Sequence, residues 1–426
     1  MKTPAASSLL PTPLLLSTAG SDRATAYSLS NRLVRLGGKI FASWLDAALH
    51  PGGKTRIQLA VVDQSSSQLD QVMLLGEASD NHCGAALALD QHHCLHAILG
   101  AHGEDFLHRY STDPQDATQW SHPLRVGGLN TYPTLIADHQ GTLHLAYREC
   151  GDRWTLKYRR KKTGAPWEDA QTMAISPTEG YNHFMQSLSV GPDGALHLFF
   201  QFHYAENGSN ADCETRMAVY LRSHDGGTSW INEDAPSPLP ITIDSARPFI
   251  SYPGGKWRIA NHVTDSEGRP WIFVSLPDHP SGGVFRRSAK SWERIDPGEE
   301  FSRLNFQGPM GREVSLSRSS DGVIHLVAAT RPDEQPSAWF DPAHELFHLR
   351  MSESGEPLSL RRLTRPDPTG AQWLPALENW DWTRVESERI DHPWLLFTRG
   401  RNLGGIGGDN KNTLQTEVYL MPLANE

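Results

Sequence analysis

Short apolar runs separated by turn residues recur along the whole chain. Each run has the length of a β-strand and follows a turn that contains Asp or Gly, and many open with Leu-His or Pro-Trp. The occurrences are residues 37–45, 90–100, 138–147, 193–202, 265–274, 321–329 and 391–397. Seven such units at intervals of about 50 to 75 residues predict an all-β chain folded as a seven-bladed β-propeller, in which each blade is a four-stranded sheet.

Two local features agree with this prediction. Residues 223–230 read Ser-His-Asp-Gly-Gly-Thr-Ser-Trp, which matches the Asp-box turn S-x-D-x-G-x-T-W except that Ser229 replaces the Thr. Such a turn is informative about the fold and says almost nothing about the chemistry, because it lies on the outer edge of a blade. Residues 413–423 form a good strand, which we expect to pair with N-terminal strands and so remove an exposed edge.

The domain division follows from the same pattern. We expect residues 26–426 to form a single propeller domain. Residues 1–25 contain one Lys and an apolar stretch broken by Pro11 and Pro13, and we expect them to be a signal peptide or a disordered N-terminus. Localisation therefore leans towards a secreted or periplasmic protein. No run approaches the roughly 20 apolar residues of a membrane span, so no membrane partner is expected.

The net charge of the chain limits the classes of partner that are expected. The chain carries a formal net charge of −10, which argues against a nucleic-acid partner because such proteins show a basic footprint. An anionic substrate stays compatible, since a local basic pocket can lie in an acidic protein. The four cysteines lack zinc-ribbon spacing and are too few for a disulfide scaffold.

A candidate site emerges from the hairpin at residues 81–103. His82 precedes its first strand and His102 follows its second, so an antiparallel pair brings the two imidazoles together. The same placement in later blades directs further polar side chains to one funnel. These are Asn130, Tyr132, Tyr147 and Arg148 from the third blade, and Asn182, His183, His203 and Tyr204 from the fourth. The histidines of the Leu-His and Ile-His pairs recur with the architecture and are interpreted as structural.

A funnel lined by His, Tyr and Arg suits a uronate sugar. His and Arg can neutralise the carboxylate and so acidify the C5 proton. A neutral His or a deprotonated Tyr can abstract that proton, and a Tyr can protonate the leaving oxygen at C4. This β-elimination needs no paired carboxylates, which most glycosidases use. We therefore predict a polysaccharide lyase that acts on an anionic polysaccharide or oligosaccharide.

The order of these residues resembles the propeller polysaccharide lyases of the ulvan-lyase type. The likeness rests on NHCGAALALD, LHAILGAHG and TLHLAYRE and covers roughly residues 75–275. It implies that His82 and Tyr147 form the acid/base pair. It further implies that His102 and either Arg159 or Arg160 neutralise the carboxylate, and that Tyr204 binds the sugar or takes part in proton transfer. The family cleaves beside glucuronate or iduronate at a sulfated rhamnose.

The resemblance requires no cofactor for the chemistry, but some family members hold a structural metal. Cys213, His224 and His262 are the residues that would hold a structural zinc here, because thiolate and imidazole suit that ion.

Two alternatives stay open at this point. One is a sialidase-like glycoside hydrolase, which would need an arginine triad drawn from Arg125, Arg148, Arg247 and Arg312. The other is a non-catalytic sugar-binding propeller, which the same aromatic funnel would suit. Fold alone does not decide between them.

Overall fold

The computed structural model describes residues 12–423 except residues 51, 83, 101, 115, 253, 277–278, 290, 305–313, 332–340, 366, 385–388 and 402–415. Cys83, Arg312 and the first three residues of the predicted strand at 413–423 lie outside the described residues. Antiparallel strands account for nearly all of the regular structure.

The first fifteen strands lie between residues 14 and 204. They are β1 (Leu14–Gly20), β2 (Leu33–Leu36), β3 (Lys39–Asp46), β4 (Thr55–Asp63), β5 (Leu69–Ala78), β6 (Ala85–Leu89), β7 (Leu95–Leu99), β8 (Glu104–Asp113), β9 (Asp116–Trp120), β10 (Leu124–Ala137), β11 (Leu143–Glu149), β12 (Thr155–Lys161), β13 (Gln171–Ile175), β14 (Ser187–Val190) and β15 (Leu196–Tyr204).

The second half of the chain continues in the same way, with one short 3₁₀ helix at Asn210–Asp212 and one α-helical turn, α1, at Glu299–Ser302. Its strands are β16 (Glu214–Ser223), β17 (Ile231–Asn232), β18 (Ala235–Pro236), β19 (Pro248–Ser251), β20 (Arg258–Thr264), β21 (Pro270–Leu276), β22 (His279–Arg287), β23 (Trp292–Ile295), β24 (Val314–Arg318), β25 (Val323–Thr330), β26 (Glu345–Ser352), β27 (Pro357–Arg362), β28 (Ala371–Leu377), β29 (Trp394–Gly400) and β30 (Thr416–Pro422). In the described residues, no helix is both long and apolar enough to cross a membrane.

The strands form five antiparallel sheets. Two have eight strands, in the orders β28-β29-β30-β1-β3-β4-β5 (with β2 on β3) and β13-β12-β11-β10-β8-β7-β6 (with β9 on β8). A third runs β14-β15-β16-β17-β18 with β19 also on β16, and the last two are β20–β23 and β24–β27 in sequence order. The first strands of successive units contact one another, from β2 and β6 through β10, β14, β20 and β24 to β28. The sheets therefore stand side by side around a shared centre.

Strands from the two ends of the chain pair with each other. β1 pairs antiparallel with β30, from Leu14 opposite Leu420 to Gly20 opposite Thr416. This confirms the expected pairing of the C-terminal strand with an N-terminal one. Strand β1 lies within residues 1–25, which were predicted to be a signal peptide or a disordered N-terminus. The ordered strands therefore start before the predicted domain boundary at residue 26.

The recurring Leu-His pairs are structural, as interpreted. Asp90 accepts hydrogen bonds from the amides of His92 and Cys94 and contacts His96 Nε2 at 3.1 Å. The other ring nitrogen of His96 lies 2.9 Å from His108 Nε2. The same arrangement joins His144 to Tyr158, His197 to Tyr220 and His325 to His348. His96, His144 and His325 also contact a turn residue through the second ring nitrogen, namely Asp90, Asp138 and Ser319, and so hold that turn to the third strand of the unit.

The turn at residues 223–230 is held together by the side chain of Asp225. Asp225 accepts from the amides of Thr228 and Ser229 at 3.0 and 2.9 Å. Gly226 and Gly227 take left-handed φ angles of 64° and 83°, which glycine adopts without strain. Trp230 is buried and packs edge-on against Tyr158. The tryptophan joins the third unit to the fourth.

A non-strand stretch, residues 21–31, crosses the centre of the fold and is called the central segment here. Residues 21–30 are all buried. Thr25 donates to Leu374 O at 2.6 Å, Ser30 donates to Pro133 O, and Asn31 donates to Leu87 O at 2.9 Å. These carbonyls belong to β28, β10 and β6, so the segment ties together the innermost strands of distant units.

The opposite end of the centre is covered by residues 379–384. Trp382 Nε1 donates to Thr264 Oγ1, and Arg384 donates to Arg35 O. The guanidinium of Arg318 lies over the rings of Trp380 and Trp382 at 4.6 and 4.5 Å. This end holds the Asp90 turn, at the far end of β6 and β7 from His82 and His102. The candidate site therefore lies on the other face.

Candidate functional site

The two histidines of the hairpin meet, as the sequence predicted. Their imidazole rings stack with centroids 4.5 Å apart and planes inclined by 14°. Asp80, in the turn that follows β5, lies between them. Its Oδ1 is 2.6 Å from His82 Nδ1, and its Oδ2 is 3.2 Å from His102 Nδ1. Asp80 stands two positions before His82 in the sequence, outside the strand-end positions from which the site was predicted.

Asp80 and His82 differ in charge near neutral pH. Burial, together with nearby Arg23, lowers the pKa of His82 to about 3 against the opposing effect of Asp80. Burial opposes ionisation of Asp80, yet hydrogen bonds from His102 and His82 hold its pKa well below the usual range. His82 is therefore neutral and Asp80 ionised near pH 7. An ionised carboxylate only accepts hydrogen bonds, so His82 carries its proton on Nδ1 and its lone pair on Nε2.

Tyr132 faces this pair from the next unit. Its ring centroid is 6.3 Å from that of His82, 6.1 Å from that of His102 and 4.8 Å from that of His183. Tyr132 has a left-handed φ of 58° at a bulge where two residues of β10 stand opposite one of β11. Burial raises the pKa of Tyr132 well above its ordinary value, so its phenol stays protonated.

Arg148 is a cation close to the histidine pair. Its guanidinium carbon lies 4.6 Å from the ring centre of Tyr132, 4.3 Å from that of Trp154 and 5.1 Å from that of Tyr181. Nη2 is 3.4 Å from His102 Nε2, while the buried Nε and Nη1 have no hydrogen-bond partner. None of the ion pairs found among the described residues includes Arg148. A buried guanidinium without a carboxylate is costly, and it suits the binding of an anion.

The fourth and fifth units extend the wall. His183 lies between Tyr132 and His203, with its ring centre 6.5 Å from that of His203. Arg258 contacts both ring nitrogens of His203, at 2.9 and 3.0 Å. Burial, with Arg148 and Arg258 nearby, lowers the pKa of His183 well below its ordinary value. Tyr204 is buried at the end of β15, and burial raises its pKa.

The central segment adds side chains that the sequence analysis missed. Tyr27 packs edge-on against Tyr132 at 5.6 Å, and Arg23 donates to the Tyr27 hydroxyl at 2.7 Å. Asp22 is hydrogen-bonded to Asn81, and burial raises its pKa to about 6. This segment lies outside the repeat, so no placement rule based on the repeat could find it.

The structure does not bring Tyr147 to the histidine pair. Tyr147 is fully buried between the second and third units, where its ring packs edge-on against Phe106 at 5.5 Å. Neighbouring residues on a strand point to opposite faces, so Arg148 enters the site and Tyr147 enters the core. Burial raises the pKa of Tyr147 to about 12.

Arg159 and Arg160 are also placed away from the pair. Arg159 stands opposite Leu145 in the β11–β12 ladder, beside Tyr147. Arg160 forms an ion pair with Glu168 and donates to Gly226 O in the turn at residues 223–230, at 2.9 Å. The prediction that one of these arginines joins His102 is therefore not met, and Arg148 occupies that place.

The predicted zinc ligands are not assembled. Both ring nitrogens of His262 contact serines, Ser187 at 2.8 Å and Ser189 at 2.7 Å. Cys213 is buried with Sγ 3.3 Å from Ser209 O, and about half of the His224 side chain is exposed. These separate environments contradict the predicted set Cys213, His224 and His262.

Among the described residues, Asp80, His82 and His102 form the group whose ligand atoms all lie within 4.8 Å of one another. The two rings are stacked and nearly parallel, so their nitrogen lone pairs run side by side rather than converging on one tetrahedral centre. The group fits a carboxylate that receives two imidazole protons better than it fits a metal ion.

Solved structures share this fold. A PL25 ulvan lyase bound to -[GlcA(1-4)Rha3S]- superposes with a TM-score of 0.71 at 13% identity, covering 96% of both chains. The polysaccharide lyase Uly1 gives a TM-score of 0.57 at 12% identity, covering 97% of this chain and 100% of that one. The BP39L lectin from Burkholderia pseudomallei gives 0.55 at 12% identity, covering 94% and 98%. These likenesses show a β-propeller-like fold.

The resemblance inferred from the sequence is thereby confirmed at the level of fold. No curated protein sequence matches the chain significantly. A family model described as "BNR repeat-containing family member" matches residues 39–298, which is more than half of the chain. The chain belongs to the BNR repeat-containing family.

Proposed function

We propose that this protein is a polysaccharide lyase that cleaves a uronate-containing polysaccharide by β-elimination. The observation that carries the proposal is Arg148, a buried cation with unpartnered donors, beside a neutral imidazole and a protonated phenol. Sites that combine a cation for an anionic substrate with one unprotonated base and one protonated acid are typical of acid–base chemistry. The fold shared with two polysaccharide lyases supports the same conclusion.

The carboxylate of the sugar binds Arg148 in this mechanism. The Nε and Nη1 groups of the guanidinium supply the donors, while His102 accepts from Nη2 and holds the guanidinium in place. Neutralising the carboxylate stabilises the negative charge that develops when the C5 proton leaves, which lowers the barrier to its removal. Because the guanidinium is buried and is held between the rings of Tyr132 and Trp154 before the substrate arrives, little reorganisation is needed.

His82 and Tyr132 move the protons. The Nε2 lone pair of His82 takes the C5 proton. The C5–H electron pair forms the C4=C5 double bond while the C4–O bond breaks, and the Tyr132 hydroxyl gives a proton to the departing oxygen. One chain then ends in a 4,5-unsaturated uronate and the other in a new reducing end. Water takes no part.

Tyr132 takes the role that the family resemblance gave to Tyr147. Tyr132 contacts the histidine pair and Arg148, whereas the ring of Tyr147 packs into the core. Tyr204 and His183 are assigned to sugar binding on the adjoining wall. We also propose that the strands form one propeller domain of seven blades. In this grouping β1 (Leu14–Gly20) completes the blade of β28–β30, β18 and β19 are additions to the fourth blade, and the domain begins before the predicted residue 26.

The proposed substrate class rests on Arg148, which would bind a carboxylate, and on the ligand of the similar ulvan lyase. The ulvan lyase was solved with a glucuronate–rhamnose sulfate unit, and we propose a glucuronate-containing, ulvan-like polymer for this chain. An arginine triad for sialic acid is disfavoured, because Arg247 is exposed and the exposed Arg125 pairs with Asp105. A non-catalytic sugar-binding role is the second candidate, favoured by the likeness to a lectin.

Ultraviolet absorbance of unsaturated uronate tests the proposal. The protein is incubated with a sulfated glucuronate polymer, an unsulfated glucuronate polymer and a neutral polymer, with His82→Gln in parallel. We expect absorbance to rise with at least one glucuronate polymer, not with the neutral one, and at least about 10²-fold more slowly for the variant. Binding without any rise would support the sugar-binding role and contradict the lyase.

A further inference from the structure

We propose that Asp80 is the positioning residue of this site, fixing the tautomer and the orientation of both His82 and His102. This inference rests on the proposed lyase function and extends it to a residue that does not itself touch the sugar. The arrangement on which it depends is one carboxylate shared by two stacked imidazoles.

Each oxygen of Asp80 serves one ring. Oδ1 accepts from His82 Nδ1 and Oδ2 accepts from His102 Nδ1, at 2.6 and 3.2 Å. Since a carboxylate has no proton to donate, both nitrogens must carry hydrogen. The Nε2 atom of the neutral His82 ring is thereby left as an acceptor, and His102 Nε2 is an acceptor because the Arg148 guanidinium that it contacts only donates. His102 Nε2 receives Arg148 at 3.4 Å, and His82 Nε2 keeps its lone pair for the C5 proton.

The carboxylate is itself held rigidly. The backbone amide of His82 donates to Asp80 Oδ1 at 2.7 Å, and Thr55 Oγ1 donates to Asp80 O at 2.9 Å. The Asp80 side chain is only 15% exposed. Carboxylates that accept a hydrogen bond from a catalytic ring in this way keep the ring within the narrow range of angles that proton transfer needs.

Asp80→Asn is the decisive variant, because the amide keeps the shape of the carboxylate. An amide offers one acceptor oxygen and one donor nitrogen. One of the two histidines must then accept at Nδ1 and carry its proton on Nε2. Either outcome harms the site, by blocking the base on His82 or by turning His102 Nε2–H against Arg148. We expect kcat to fall by about 10²–10⁴-fold, as when a catalytic histidine is forced into its wrong tautomer, with KM changed by less than about 3-fold.

Nitrogen-15 NMR of histidine-labelled protein gives a readout that does not depend on turnover. His82→Gln and His102→Gln assign the two ring signals. In the unmodified protein we expect both rings as neutral Nδ1–H tautomers, and in Asp80→Asn we expect one of them to change to Nε2–H. Two unchanged tautomers with undiminished kcat would overturn the proposal.

Asp90→Asn is the matched control, since Asp90 also pairs with an imidazole, His96, in the same unit but at the far end of β6 and β7. It should retain the specific activity of the folded protein and leave the His82 and His102 signals in place. An equal loss of kcat in both aspartate variants would make Asp80 merely structural. If the tautomers behave as expected but no uronate polymer is cleaved, the assignment of Asp80 stands and the lyase function fails.

Discussion

Two neighbouring residues, Tyr147 and Arg148, show how a single position separates core from site. Both were predicted as site residues, because both lie near the end of β11 that is close to the hairpin histidines. Strand alternation then sends Arg148 towards Tyr132 and Tyr147 towards Phe106. The sequence identifies strand β11 and its end. It does not predict the bulge in β10 opposite Tyr147, where Tyr132 faces the site.

Tyr132→Phe and Tyr147→Phe form a matched pair that distinguishes the two tyrosines. We expect Tyr132→Phe to lower kcat by about 10²-fold or more, because it removes the proton donor. Tyr147→Phe should keep kcat within about 3-fold and change the free energy of unfolding by less than about 1.5 kcal/mol. Steady-state kinetics and urea unfolding measure both effects. The opposite ranking would return the catalytic role to Tyr147.

Arg148→Met separates binding of the carboxylate from stability. Removing the guanidinium should lower kcat/KM by at least about 10²-fold, since the charge that neutralises the carboxylate is lost. The free energy of unfolding should stay unchanged or rise, because a buried cation without a carboxylate partner is replaced by an apolar chain. A large loss of stability with unchanged kcat/KM would show that Arg148 is structural.

At the level of elements, the repeat predicted the strands, whereas the centre of the fold was not predictable. Tyr132 and Leu374 both have left-handed φ angles at bulges of innermost strands, and the carbonyls of the bulged residues leave the sheet ladder. Thr25 and Ser30 of the central segment donate to those freed carbonyls. These partners are far apart in sequence, so the pattern of residues 21–31 alone gives no sign of them.

Thr25→Val tests this role of the central segment. The substitution keeps the shape of the side chain but leaves the buried Leu374 carbonyl without its donor, which should cost about 1–3 kcal/mol of unfolding free energy. Thr118→Val, at an exposed position on β9, is the control and should change stability by less than about 0.5 kcal/mol. Equal urea midpoints for the two variants would remove the segment from the account of stability.

Across the whole molecule, many buried histidines are kept neutral. Burial lowers the pKa of His82, His108, His197 and His325 to about 3, and burial lowers those of His183, His262 and His348 well below the ordinary value. The unfolded chain therefore binds more protons than the folded one between about pH 3 and about pH 6.5.

Stability should accordingly be complete above about pH 6.5 and fall as the pH drops below it. Each such histidine contributes up to about 1.4 kcal/mol per pH unit in that window. Asp22, Asp46 and Glu345 act in the opposite direction, because burial raises their pKa values, that of Asp22 to about 6, and so favours the folded state as pH falls, but they are three groups against seven. Urea unfolding at about pH 7.5 and about pH 5.5 checks the sign. Equal or greater stability at the lower pH would contradict the burial of neutral imidazoles.

Proton NMR of the products tests the lyase most directly. A glucuronate polymer is digested by the unmodified protein, and the vinyl H4 signal of unsaturated uronate is compared with the number of new reducing ends. The elimination by His82 and Tyr132 predicts one double bond for every new reducing end, and neither product with His82→Gln. New reducing ends without double bonds would instead show hydrolysis and contradict the account.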